Sequence, residues 1–296
     1  MTKRMSWALS LIFSLALAIA SKGPLSSPAS EPAEEIPFQH VIIDKDASGA
    51  TGQGMDCKAG GDIDGDGFPD VVIGSKELVW YHHPDWAKHV IAVAEKEFTT
   101  DMQLGDVDGD GDIDLSAPGK DQHTVYWFEN PGNGRGDWAA HTVGRINEAE
   151  DHYADRVAMA DINGDGRPDI IVTEEVSPAT QGSSVYWFEQ PSDPRRVNWV
   201  RHRVVTQYTT NAMDVGDVDG DGDIDIVTGK HRGSRRVAVW ENRDHGKSWV
   251  EHVVDTGKEG YLGARVADLD GDGRLEILSI CWDTYPHLHL WRRSVR

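Results

Sequence analysis

The chemistry this chain suggests first is the binding of a hard cation. In GDIDGDGFPD, which begins at Gly61, carboxylates stand at Asp62, Asp64, Asp66 and Asp70. Carboxylates crowded into one loop repel and push one another toward protonation, and a bound cation removes that cost. The same spacing recurs at Asp106, Asp108, Asp110 and Asp114, at Asp161, Asn163, Asp165 and Asp169, at Asp217, Asp219, Asp221 and Asp225, and at Asp268, Asp270, Asp272 and Glu276. Positions 1, 3, 5 and 9 of each loop thus carry side-chain oxygens, and positions 4 and 6 are glycine, where a chain winding around an ion needs conformations that side chains resist. Oxygen-only donors, completed by the position-7 carbonyl and water, suit Ca2+ better than magnesium, which prefers to keep its waters. The reading is up to five structural Ca2+ ions, one per loop.

The first acids of the five loops lie 44, 55, 56 and 51 residues apart. Two further signatures keep step with them. An aromatic strand follows each loop, aligned on Trp80, Trp127, Trp187, Trp240 and Trp291, and a Trp-x-x-His strand follows four of these, carrying His89, His141, His202 and His252. After the last aromatic strand the Trp-x-x-His signature is missing, but PFQHVIID, with His40, stands at the beginning, so the unit is circularly permuted. Each unit of about 50 residues then holds four short strands, the period of a propeller blade. The expected fold is all-β, a five-bladed β-propeller of four-stranded blades, closed by the N-terminal strand pairing with the last repeat.

An EF-hand shares the first half of this loop but requires a bidentate Glu at position 12 and flanking helices. Position 12 here is Ile73, Ala117, Val172, Thr228 or Ser279, and the second half reads as a strand. The pattern instead resembles the FG-GAP or VCBS repeat, the calcium-loop blade also found in integrin α-subunit propellers. The resemblance covers residues 38–293 and implies fold and calcium rather than an activity.

The repeated tryptophans and histidines read as packing between sheets. Trp282 has no repeat role; beside Asp283, Tyr285 and His287 it offers a flat apolar surface with polar neighbours, suited to a sugar ring. Other unrepeated polar residues fall on connections of the face opposite the acidic loops: Asp56, Asp101, His123, Asp151, His152, Tyr153, Asp155, Arg156, Glu174, Asn211, Lys230, His231, Tyr261 and Arg265. The basic stretch GKHRGSRR, residues 229–236, reads as a charged loop or as an attractor of anionic glycans. Three functions follow. One is a binding module for polysaccharide or a cell-surface partner. The second is a sugar-active lyase or dehydratase, because calcium-loop propellers of polysaccharide lyases and of aldos-2-ulose dehydratase resemble this repeat. There His152, Tyr153, His231 or Tyr261 would be the base, and Arg156, Arg265 or Lys230 the anion stabiliser. The third is a purely structural or adhesive protein. There is no nucleophile elbow, phosphate loop or zinc signature in the sequence.

Residues 1–20, with Lys3 and Arg4 before an apolar run ending Ala-Ile-Ala, read as a secretory signal peptide, and residues 21–37 as a flexible Pro- and Ser-rich leader. The single propeller domain occupies residues 38–296, exported to the periplasm or beyond the cell, with no membrane insertion. The formal net charge is −21, and −23 once the segment carrying Lys3 and Arg4 is removed, which argues against a nucleic-acid partner. Cys57 and Cys281 are the only cysteines; they stand in the first and last blades and could form one bridge.

Overall fold

The computed structural model describes residues 39–45, 57–93, 101–119, 123–147, 152–176, 182–208, 210, 212–230, 233, 235–257, 262–280 and 287–293. Every regular element among them is a strand. The first sheet runs β1 (Cys57–Gly61), β2 (Asp70–Gly74), β3 (Glu77–His82) and β4 (Ala87–Val93). The second runs β5 (Gln103–Gly105), β6 (Asp114–Pro118), β7 (Thr124–Glu129) and β8 (Ala139–Arg145), and the third β9 (His152–Ala160), β10 (Asp169–Val176), β11 (Ser183–Glu189) and β12 (Val200–Gln207). The fourth runs β13 (Ala212–Gly216), β14 (Asp225–Gly229), β15 (Arg236–Arg243) and β16 (Ser248–Thr256), and the fifth β17 (Leu262–Ala267), β18 (Glu276–Ile280) and β19 (Leu288–Trp291). Each sheet is an antiparallel meander in sequence order.

The five sheets and their loop register follow the sequence expectation; the fifth sheet departs from it. It has three strands, and the closing strand expected from the beginning of the domain is not formed, since residues 39–45 carry no strand and Gln39, His40, Val41, Ile42 and Ile43 are exposed. Chain contacts separate Met1–Ile42 from Ile43–Arg296, and all five sheets lie in the second unit. The signal and leader expected for residues 1–37, Cys281 and the Cys57 side chain lie outside what is described.

Burial explains the strand types. The third strand of each of the first four sheets is buried on both faces, as in β7 and β15, because each sheet packs against a neighbour. Apolar clusters join consecutive sheets: Trp80, Leu78 and Ile63 pack with Met102, Leu115 and Phe128 between the first and second, and Trp187 and Ile171 pack with Met213 and Ile226 between the third and fourth. The fourth strands are largely exposed and carry charges such as Lys88, Arg201 and Glu251, which discourage edge-to-edge pairing. A register shift recurs where the third strand meets the fourth, at Leu78/Val79, Val125/Tyr126, Val185/Tyr186 and Val237/Ala238, which adds local twist. First strands contact first strands in succession, β1 with β5, β5 with β9, β9 with β13 and β13 with β17.

Candidate functional site

Each acidic loop joins the first strand of its sheet to the second, and its carboxylates first organise the loop itself. Asp62 accepts from the N–H of Asp66 through Oδ1 (3.0 Å) and of Gly67 through Oδ2 (2.9 Å), and Asp66 Oδ1 accepts from Phe68 N–H (2.8 Å). Asp106, Asp161, Asp217 and Asp268 accept from the position-5 and position-6 amides in the same way. Gly65 and Gly67 have φ of 73° and 91°, the left-handed conformations that the winding needs.

The position-9 acids do more than the sequence suggests. Asp70, Asp114, Asp169, Asp225 and Glu276 are buried, and one oxygen of each accepts from the position-2 amide of its own loop, as in Val107 N–H to Asp114 (2.9 Å). In the first four sheets the other oxygen accepts from the N–H of a residue just past the strand tryptophan: His83, Asn130, Gln190 or Asn242. The last three of these have a second task that sequence reasoning missed. Asn130 Nδ2 donates to the Ile63 carbonyl of the preceding loop (2.8 Å), Gln190 Nε2 to Val107 (2.6 Å), and Asn242 Nδ2 to Ile162 (2.8 Å). The signal lay in ENP, EQP and ENR, an amide recurring at one place. In the fifth sheet Arg293 Nη1 makes the equivalent bond to Val218 (3.1 Å). Each of the first four loops is thus latched by the sheet that follows it.

The same latch brings cations in. Arg135 Nη2 lies 3.0 Å from Asp64, and Arg195 Nη2 lies 2.5 Å from Asp108 and 2.6 Å from Glu129. Burial raises the carboxyls of Asp108 and Asp219, and it pushes Asp114 and Asp169 up to about 7 and Asp225 up to about 6, outweighing the backbone N–H bonds that pull the position-9 acids down. Asp62, Asp64 and Asp70, Asp106, Asp108 and Asp114, and Asp217, Asp219 and Asp225 form groups whose oxygens lie within 4.8 Å of one another. The donor set is oxygen in each, and Asp64 Oδ1 is buried without a hydrogen-bond partner; these residues fit a hard cation.

The repeated aromatic and histidine side chains are absorbed by packing. His89, His141 and His202 stack on Trp80, Trp127 and Trp187 with ring centroids 4.5, 4.5 and 4.2 Å apart. His141 Nε2 lies 2.8 Å from Glu129, and Trp80 and Trp127 donate to the carbonyls of Gly134 and Pro194 in the following sheet.

All five first strands line one cavity of about 450 Å3, with Lys58, Asp101, Gln103, Asp214 and Arg265 as its polar wall. Asp214 Oδ2 accepts from Val266 N–H (2.8 Å), Asp101 Oδ2 from Val157 N–H (3.2 Å), and Arg265 Nη1 donates to the Met213 carbonyl (3.0 Å). Burial raises the Asp101 carboxyl, opposed by the Val157 N–H and then by the charges of Arg156 and Arg265.

The described candidate bases and stabilisers do not gather in that cavity. His152 lies within β9, 5% exposed, with Nδ1 2.8 Å from Glu174 Oε1, and Ser184 N–H donates to Glu174 Oε2 (3.0 Å). Tyr153 faces Glu175 across the ladder, and Arg156 N–H donates to Thr173 Oγ1 (3.0 Å). Among the described candidates Arg265 alone lines the cavity. Burial lowers the Lys230 ammonium. Of the proposed sugar platform only His287 is described, exposed and edge-on to His289; Trp282, Asp283 and Tyr285 lie outside the described residues, as do His231, Tyr261, Asp56, Asp151 and Asn211.

These features define an all-β repeat protein in which each sheet carries an acidic loop and consecutive sheets are latched through those loops. The FG-GAP-like repeat model matches residues 106–172 and 217–279, and the FG-GAP repeat model matches residues 59–77. The chain belongs to the FG-GAP repeat proteins. No curated protein sequence matches it. Among solved structures it is similar to the V. cholerae biofilm matrix protein Bap1, with 16% identity, a TM-score of 0.44, and coverage of 76% of this chain and 34% of Bap1. A thermostable family-43 glycoside hydrolase matches with 10% identity and a TM-score of 0.44 over 79% of this chain and 89% of the hydrolase. The chain therefore spans about a third of the length of Bap1. Among the described residues no helix is long and apolar enough to cross a membrane.

Proposed function

We propose that this chain is an exported, calcium-loaded five-bladed β-propeller that acts as a binding module for carbohydrate, as free polysaccharide or on a cell surface. The observation that carries the reading is the cavity of about 450 Å3 at which the five first strands converge. Its size falls in the range of small-molecule pockets, about 300–1,000 Å3. Its wall of carboxylates, an amide and cations offers both donors and acceptors to sugar hydroxyls, and Lys58 and Arg265 would favour an acidic sugar. Calcium in the acidic loops, held by the acids at positions 1, 3, 5 and 9, stabilises the fold by mass action without taking part in recognition.

The test is to load the calcium-saturated protein onto neutral, uronate and sulfated polysaccharides, then measure retention and analyse the soluble sugars by mass spectrometry. Retention without new products, weakened at least tenfold by Arg265→Ala, supports the module. Retention on none of them refutes it. A second reading, a sugar lyase or dehydratase, is favoured by the His152–Glu174 pair, in which a buried carboxylate orients an imidazole. Unsaturated or dehydrated products that vanish in His152→Ala would establish that reading.

A further inference from the structure

The first acidic loop differs from the others in what faces it. Just before the residue whose N–H reaches the position-9 acid, the second, third and fourth sheets carry Glu129, Glu189 and Glu241, and Glu241 groups with Asp219 and Asp221 as an all-carboxylate set. The first sheet has His82 there. Its side chain is 15% exposed, with Nε2 3.2 Å from Asp64 Oδ2 and 3.7 Å from Asp66 Oδ2. Asp64, Asp66 and His82 offer ligand atoms within 4.8 Å of one another.

Two further observations point to an ion. His82 Nδ1 lies 2.8 Å from Asp85 Oδ1, and the same oxygen accepts from Ala87 N–H (3.1 Å), so the carboxylate is itself anchored. A carboxylate on one ring nitrogen, with the other turned toward a ligand group, is how metal-binding histidines are oriented. Independently, the Asp64 side chain is only 7% exposed, its Oδ2 is held by Arg135, and its Oδ1 is buried without a hydrogen-bond partner. A buried unmatched carboxylate oxygen is costly, and an ion beside Oδ1 would use it while Arg135 keeps Oδ2.

Nitrogen joined to carboxylate oxygens does not suit calcium, which takes oxygen alone, and does suit borderline divalent ions. We infer that the first loop is a mixed nitrogen–oxygen site for a zinc-class divalent ion, held by Asp64, Asp66 and His82 with Asp85 as the orienting partner. The inference rests on the proposed function only in that the loops take cations, and it replaces calcium in the first loop alone.

Co2+ is the probe, titrated into the full chain with calcium in large excess and read by visible absorption and metal content after desalting. One Co2+ per chain survives the calcium, with nitrogen-type ligand-field bands. His82→Glu installs the residue that other sheets carry, so folding is preserved, and it weakens cobalt at least tenfold; Asp85→Asn, at an exposed position (65%), weakens it about tenfold. Cobalt displaced by calcium from the native chain would overturn the inference. So would two variants that keep native cobalt affinity, leaving His82 as a proton-bound member of an ion-pair network. A separate calcium isotherm distinguishes the two claims: absent calcium binding refutes the calcium reading without touching the cobalt result.

Discussion

Replacing Asn130 by alanine tests whether the inter-sheet latch holds consecutive sheets together. The Asn130 side chain donates to the carbonyls of Ile63 (2.8 Å) and Ile113 (3.0 Å) and accepts from the N–H groups of Gly132 (3.0 Å) and Gly134 (2.8 Å), and the residue is 3% exposed. The bonds to Ile63 and Gly134 are buried, and each orphaned partner costs about 1–3 kcal/mol; the two partly buried bonds cost less, roughly 0.5–1 kcal/mol each. Allowing for relaxation, the loss is about 3–5 kcal/mol. In a domain of this size that lowers Tm by roughly 10 °C. Differential scanning calorimetry at a fixed excess of calcium reads it without changing metal occupancy. Asn130→Gln, the residue the third sheet uses as Gln190, should recover more than half of the loss. The reference is Asn133→Ala, exposed in the same loop and accepting only from Arg135 N–H (2.9 Å). An Asn130→Ala cost below about 1 kcal/mol, or no larger than that of Asn133→Ala, would refute the latch.

Two other outcomes follow from the loops. Asp114 and Asp169 are raised to about 7 and Asp225 to about 6, so the metal-free fold binds more protons than the unfolded chain, and its stability falls as pH rises from about 4 through 7. Bound calcium would compensate the ionised form, so the gap in Tm between calcium-loaded and chelated protein should widen from pH 5 to 7.5; a constant gap would sink this account. Gly134→Ala places a Cβ 2.7 Å from the Trp80 ring and 2.8 Å from Ile63 at φ +67°, whereas Gly65→Ala meets nothing within 4 Å at φ +73°. Urea unfolding should show Gly134→Ala costing at least about 2 kcal/mol and Gly65→Ala about 1 kcal/mol, and equal costs would contradict the packing of the third-to-fourth connection on Trp80.

The acidic loops and the tryptophan and histidine strands were legible because each is a local pattern repeated in register. Trp127 on His141 needed only the period to be recognised. Asn130, Gln190 and Asn242 recur as well, yet an amide at the end of a strand, before proline or arginine, reads as an ordinary turn residue; the carbonyl it serves lies 67, 83 or 80 residues earlier, a separation no local pattern encodes. For the same reason Asp214 and Lys58 drew no notice as cavity residues: on their own strands they break no pattern, and only the convergence of five first strands gives them a common wall.

The latch also bears on the two ends of the sheet series. Each of the first four loops is completed by the sheet after it: Ile63 by Asn130, Val107 by Gln190, Ile162 by Asn242 and Val218 by Arg293. The fifth loop has Leu269 at this position, 49% exposed, with no following sheet among the described residues. The first sheet holds the matching half. His83 occupies the place of Asn130, its N–H on Asp70 (2.8 Å) like the other three, and its Nδ1 is buried without a hydrogen-bond partner. A closed ring would set this donor-capable nitrogen against the Leu269 carbonyl, pairing the one unused latch with the one unlatched loop. In such a ring the departure of the first repeat from the amide rule would follow from its position against the last sheet, whose third strand ends in Trp291 and arginine rather than in the Glu-amide pair of the fourth.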